Sequence, residues 1–158
     1  RLVEKYLMKK WKGVDDPDYV AATLDALSVA EGATVKICGN SPLTVTSLAA
    51  GGGTVEGALK LAKDAVLEVP VLSDGTLGSV SLGASVDLSA GCLVRLVGNV
   101  ETVTPGTYVV VSSPSEAAGQ AAWTFETPAA KHRTYAMSVV DGAVRVTVGR
   151  FGMIMIVR

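Results

Sequence analysis

Leu27-Ser28-Val29-Ala30-Glu31-Gly32-Ala33-Thr34-Val35-Lys36-Ile37 is the stretch whose reading decides the fold. Apolar residues fall at Leu27 and Val29, and again at Val35 and Ile37. That is period two, the alternation of a strand with one face buried. Helix propensity over 25–33 is overruled by this spacing, so the segment reads as two short strands flanking a Glu-Gly-Ala turn. A degraded form recurs at Leu59 to Val69 (LKLAKDAVLEV) and at Val80 to Leu88 (VSLGASVDL). A recurring strand–turn–strand unit buries its apolar face by stacking on the next unit.

Composition agrees. The chain is 49% hydrophobic but only 5% aromatic, so its apolar content is Val, Ala and Leu rather than rings. With 17 glycines, this suits many short, tightly turned strands. The 158 residues make one domain, or one domain with an appendage. A net charge of −1 offers no footprint for nucleic acid or an anionic membrane. No run is long and apolar enough for a membrane span, so no membrane insertion is expected. The chain begins at Arg1 with no basic and apolar leader, which reads as a processed portion of something longer.

Outward from the repeat, residues 1–13 read as an amphipathic helix. Val3, Leu7 and Trp11 form its apolar stripe and Gly13 its stop. Residues 14–19 form a polar linker, and 20–158 the β-repeat domain. Within that domain Leu43 to Thr46 is a strand, and Ala49-Ala50-Gly51-Gly52-Gly53 a flexible turn. Ser73-Asp74-Gly75-Thr76 is a turn with glycine where φ is positive. Thr104-Pro105-Gly106-Thr107 reads as a type II turn joining strands Val100–Val103 and Tyr108–Val111. Ser112 to Ala122 is a loop by composition. The segment 135–157 is an antiparallel meander, opening with a hairpin of Tyr135–Val140 and Ala143–Val148 around Asp141-Gly142. Gly149 to Gly152 turns into Met153-Ile154-Met155-Ile156-Val157, a run apolar on both faces that must be covered or paired. The fold class expected is all-β: a short β-solenoid or stacked β-sheets with a C-terminal antiparallel meander and one N-terminal helix.

ALSVAEGATVKI, followed by PLTVTSLAAGGGTVEGALKLAKDAVLEV, resembles the autotransporter-associated β-strand repeats of large bacterial surface proteins. Those repeats run as strand, Gly-Ala, strand, then a V-x-S-L-x-x-x-G-x-V segment, matched here from Val45 through Val55. Gly106 to Ser112 and the Tyr135 to Val148 hairpin resemble the closing segment of such proteins. The resemblance spans about residues 20 to 148 and implies a β-solenoid of passenger or adhesin type, placed at the cell surface or outside the cell. It departs at the end, where FGMIMIVR stands in place of a membrane-sorting tail or outer-membrane barrel. Val3 to Trp11 is similar to the helix that closes laminin-G-like lectin domains.

Chemistry-bearing residues do not converge. His132, the only histidine, sits in the basic stretch Ala129 to Arg133 and reads as a surface residue. Ser81 lacks the first glycine of a nucleophile elbow. Gly51 to Gly53 has no Lys-Ser/Thr to make a phosphate loop. Asp15, Asp16 and Asp18 match no calcium loop. Cys38 and Cys92 read first as buried free thiols, with a disulfide between neighbouring units as the alternative. Lys36, Lys60, Glu68, Asp87 and Arg95 read as scattered singly on outward positions, against a polysaccharide-active groove. Trp123 and Phe125 share one strand face: a cap over the core, or a candidate platform for glycans.

The expected function is therefore a non-catalytic, extracellular structural protein with no cofactor and no metal. It is expected to self-associate as a homo-oligomer or filament through Val3, Leu7, Trp11 and Met153 to Val157. A carbohydrate-binding or adhesive module is the first rival, a polysaccharide-active enzyme the second.

Overall fold

The computed structural model describes residues 23–39, 41–113 and 122–152. The helix over 1–13, the linker over 14–19 and the run Met153 to Val157 lie outside the described residues, as does most of the Ser112 to Ala122 loop. Among the described residues the architecture is all-β, in two sheets of six strands each.

The chain passes back and forth between the sheets. Strands β1 (Thr23–Leu24) and β2 (Leu27–Ala30) lie in the first sheet, β3 (Thr34–Ile37) in the second, β4 (Leu43–Gly51) in the first and β5 (Gly53–Gly57) in the second. Next come β6 (Leu59–Pro70) in the first, β7 (Val80–Leu82) in the second, β8 (Leu93–Val97) in the first, β9 (Gly106–Ser112) in the second and β10 (Thr124–Glu126) in the first. Every neighbouring pair among these is parallel. The last two strands, β11 (Arg133–Val140) and β12 (Ala143–Arg150), change the pattern. They form an antiparallel hairpin, and β12 pairs antiparallel with β9. The expected hairpin is thus present, with two more residues on its outer ends.

Alternation dictates which side chains face in. Register runs Leu27, Leu48, Leu67, Val94, Phe125 across the first sheet, one residue from each of β2, β4, β6, β8 and β10. Beside it Val29 pairs with Ala50, and Val69 with Leu96. The second sheet answers with columns such as Val35, Val55, Leu82 and Val80, Val111, Val144. Among the described residues the buried core consists of Val, Leu, Ala and Cys92, with no buried polar residue. The low ring content is thereby explained: like aliphatic residues repeat in line, and the space between the sheets needs no ring. The half-buried rings Tyr108, Trp123, Phe125 and Tyr135 pack against the core from its C-terminal end.

Several boundaries differ from expectation. The Ala49 to Gly53 turn shrinks to Gly52 at φ 103°, because β4 runs on to Gly51 and β5 starts at Gly53. Leu59 to Val69 is one strand rather than strand–turn–strand. Val45 pairs with Leu61 and Ser47 with Val66, so Ala62 to Ala65 bulge out, with Asp64 at φ 63°. In Val80 to Leu88 the first limb is β7, and the second reduces to a bridge between Asp87 and Lys60. Val100–Thr102 is a single 3-10 turn capped by Asn99, not a strand, and Gly106 opens β9 without positive φ, so the type II turn is absent. β12 continues to Arg150, where a turn from Gly149 was expected. The turn at Asp74-Gly75 stands as read: Gly75 has φ 79°, and the Asp74 carboxylate accepts from the Thr76 N–H at 2.9 Å and its hydroxyl at 2.6 Å.

The cysteines also correct the reading. Both are free; Cys92 is buried but Cys38 is exposed, at the end of β3 where its strand leaves the stack. Burial pushes the Cys92 thiol up to about 12, so it stays protonated and inert at neutral pH. A thiol-labelling reagent should therefore modify Cys38 in the native protein and reach Cys92 only after denaturation; two fast-reacting thiols under native conditions would contradict the placement.

Candidate functional site

The outward residues read as scattered singly are in fact brought together across strands. Glu68, Arg95 and Glu126 share one register line on the first sheet, and Arg95 Nε donates to Glu126 Oε2 at 2.8 Å. This hydrogen bond, then the charge of Glu126, holds the guanidinium more firmly protonated. Lys60 stands beside Asp87, whose carboxyl is lowered first by the Ser89 hydroxyl at 2.6 Å, then by the Ser89 N–H at 2.9 Å, with Lys60 adding less. On the second sheet Lys36 Nζ lies 3.5 Å from Glu56 Oε2. These pairs are exposed and contribute little stability each. They match the register of the strands, which is what like neighbours at strand spacing require: opposite charges side by side rather than a row of one sign. No sequence signal marks them, because the strands involved lie a variable number of residues apart.

A second constellation escaped the sequence altogether. It joins the 3-10 turn to the start of β11. Glu101 accepts hydrogen bonds from the backbone N–H of Lys131 and, at 3.1 Å, of His132. Arg133 Nε donates to the Val103 carbonyl at 2.7 Å, and Nη1 to the His132 carbonyl at 3.1 Å. The Tyr135 hydroxyl donates to the Val100 carbonyl, and the Tyr108 hydroxyl to the Thr104 carbonyl at 2.6 Å. Every one of these bonds ties the chain to itself. Side-chain groups satisfy backbone atoms of a strandless segment that has no ladder to do so.

The Lys131 N–H, then the His132 N–H and the nearby charges of His132 and Arg133, hold the Glu101 carboxyl below the ordinary glutamate range. A carboxyl whose folded pKa is lowered stabilises the fold above its unfolded pKa and ceases to as pH falls through the lowered value. The amide protons of Lys131 and His132 should accordingly lose protection from exchange in acid. Glu101→Ala should remove that protection at every pH, and unchanged protection in this variant would show that the clasp is not what holds the segment.

The residues singled out for chemistry stay apart. His132 is exposed, its N–H in the Glu101 clasp and its carbonyl bonded by Arg133 and Phe151. Ser81 points outward from β7, in line with Thr54 and Ser112. Gly51 to Gly53 belong to strands and a corner. Among the described residues no group of three His, Cys, Asp or Glu is placed to hold a metal ion, and no helix is long and apolar enough to cross a membrane. Trp123 and Phe125 do share one face. It is the inward one: Phe125 ends the Leu27 column, and both rings are partly buried against the core. The self-association residues Val3, Leu7, Trp11 and Met153 to Val157 lie outside the described residues. No family model, no curated protein and no solved structure matches this chain.

Proposed function

We propose that this chain is a non-catalytic structural protein of the extracellular or cell-surface kind, a short β-solenoid that self-associates. The observation that carries the reading is the repeated passage between two sheets, with parallel register within each up to the final hairpin. Each passage stacks one more rung on the last, so a rung's inward residues are covered only when neighbours lie on both sides. Polar side chains supply the second support: among the described residues many tie turns or pair charges across strands. The role of such a chain lies in its shape and its ends. Electron microscopy and light scattering of the purified chain test this. Association that rises with concentration, with no turnover in a broad polysaccharide substrate screen, is the expected outcome. A monodisperse monomer at all concentrations, or turnover abolished by changing one carboxylate, overturns it.

A further inference from the structure

We propose that the free edge of β11 is the self-docking surface, on which a second copy of this chain lays its own β11 antiparallel, centred on Met137. This rests on the self-association proposed above and gives it a place. Among the described residues β11 ends the second sheet, with β12 on one side and no strand on the other. Residue pairs in an antiparallel ladder alternate between hydrogen-bonded and non-bonded. Phe151 N–H donates to the His132 carbonyl, so the bonded pairs continue at Thr134, Ala136, Ser138 and Val140, the last closing the Asp141-Gly142 turn. The residues between them, Tyr135, Met137 and Val139, therefore turn their N–H and C=O groups to the free edge.

Natural edge strands are guarded by charge, proline, a bulge or brevity. β11 carries one such guard only, the charge of Arg133 at its outer end, and that guanidinium is already bonded to the Val103 and His132 carbonyls. Its pairing with β12 runs over eight residues without a register shift, and Thr134 to Val140 contains no charge and no proline. The other edges among the described residues are shorter: β1 has two residues, β2 has four, β3 has four and carries the ion-paired Lys36, and β10 has three and carries Glu126.

The second copy fits better than any charged partner, because the edge is self-complementary. Centred on Met137, the pairing sets Tyr135 opposite Val139 and Arg133 opposite Asp141 of the other copy. Each end of the join then holds one arginine, whose Nε and Nη1 stay on the Val103 and His132 carbonyls of its own chain, near one aspartate, so the charges that approach are unlike. On the inward face Tyr135, Met137 and Val139 are half-buried. Two copies would place these residues side by side and continue the apolar lining across the join. On the outward face Ala136 would stand opposite Ser138 of the other copy.

The test uses the full chain and two double variants, Ala136→Lys with Ser138→Lys, and Ala136→Glu with Ser138→Glu. Both positions are exposed, so either side chain has room; Ser138 stands opposite Arg145 within the chain, so the lysine variant also carries a like-charge pair there, and circular dichroism with a thermal melt must show both variants folded before their association is compared. Sedimentation velocity should show a dimer for the unmodified chain. Each variant alone should dimerise about a hundredfold more weakly, because like charges oppose across the join, and an equimolar mixture should recover a heterodimer. If the lysine variant associates as the unmodified chain does, self-association stands through other surfaces and the β11 route is overturned. If the unmodified chain is monomeric throughout, as it would be were Met153 to Val157 of the same chain to cover this edge, both readings fall.

Discussion

Gly57→Ala is expected to destabilise the protein by about 3 kcal/mol or more, the sum of backbone strain and overpacking. Two independent features of the position act together. Gly57 has φ 96°, a conformation that side chains with a Cβ rarely adopt. A Cβ there would also land on the carbonyl oxygen of Ile37, the residue paired with Gly57 in the next rung. Backbone is the obstacle, not the end of a flexible side chain, so relief requires the two rungs to part. Gly32 supplies the control. It too has positive φ, 70°, but nothing lies within 4 Å of its absent Cβ. Gly32→Ala should cost only the strain, roughly 1 kcal/mol. Urea denaturation of the two variants separates the effects. Equal midpoints would show that the rungs do not approach as closely at Gly57 as the structure has them. Gly91, at φ 65° with Ala122 backbone in the way, should behave like Gly57.

That contrast bears on what was legible in the sequence. The turn at Glu31-Gly32-Ala33 was readable because its cause is local: a positive φ between two alternating runs. The same holds for Asp74-Gly75 and for the Asp141-Gly142 hairpin, where Gly142 has φ 72°. Glycines such as Gly51 and Gly53 misled. Three in a row read as a flexible turn, but Gly51 and Gly53 are in strands, where a Cβ would strike the backbone of Val29 and Ala30. They are small because the backbone of the neighbouring strand β2 passes close over them, and strand neighbours are distant in sequence. The Glu68, Arg95 and Glu126 line and the Glu101 clasp were invisible for the same reason. Glu101 meets backbone about 30 positions away, at His132, and no periodicity connects them. Trp123 and Phe125 were placed on one face correctly. Whether that face looked inward depended on the register with Cys92 and Val94, which alternation alone does not supply.

Leu67→Ala tests the stacking directly and is expected to cost about 3–4 kcal/mol, the range for deleting a leucine side chain from a closed core. Leu67 is 2% exposed, with Leu48 on one side of it and Val94 on the other along the same column. β-strands hold their neighbours by a ladder of backbone hydrogen bonds, so the rungs above and below have little freedom to close on the vacated space. Leu48→Ala, at 1% exposed, should cost about the same, since its column neighbours are Leu27 and Leu67. The column's ends differ. Leu27 and Phe125 are half-buried and have a column neighbour on one side only among the described residues. Leu27→Ala should therefore cost about half as much, because a half-exposed side chain gains only part of the transfer energy and leaves no closed cavity. A profile of cost along the column, high at Leu48, Leu67 and Val94 and low at Leu27 and Phe125, is what a stack of rungs demands. A flat profile, or one that peaks at Phe125, would mean that the column's C-terminal end is buried under something else, and that the stack continues past the last described rung.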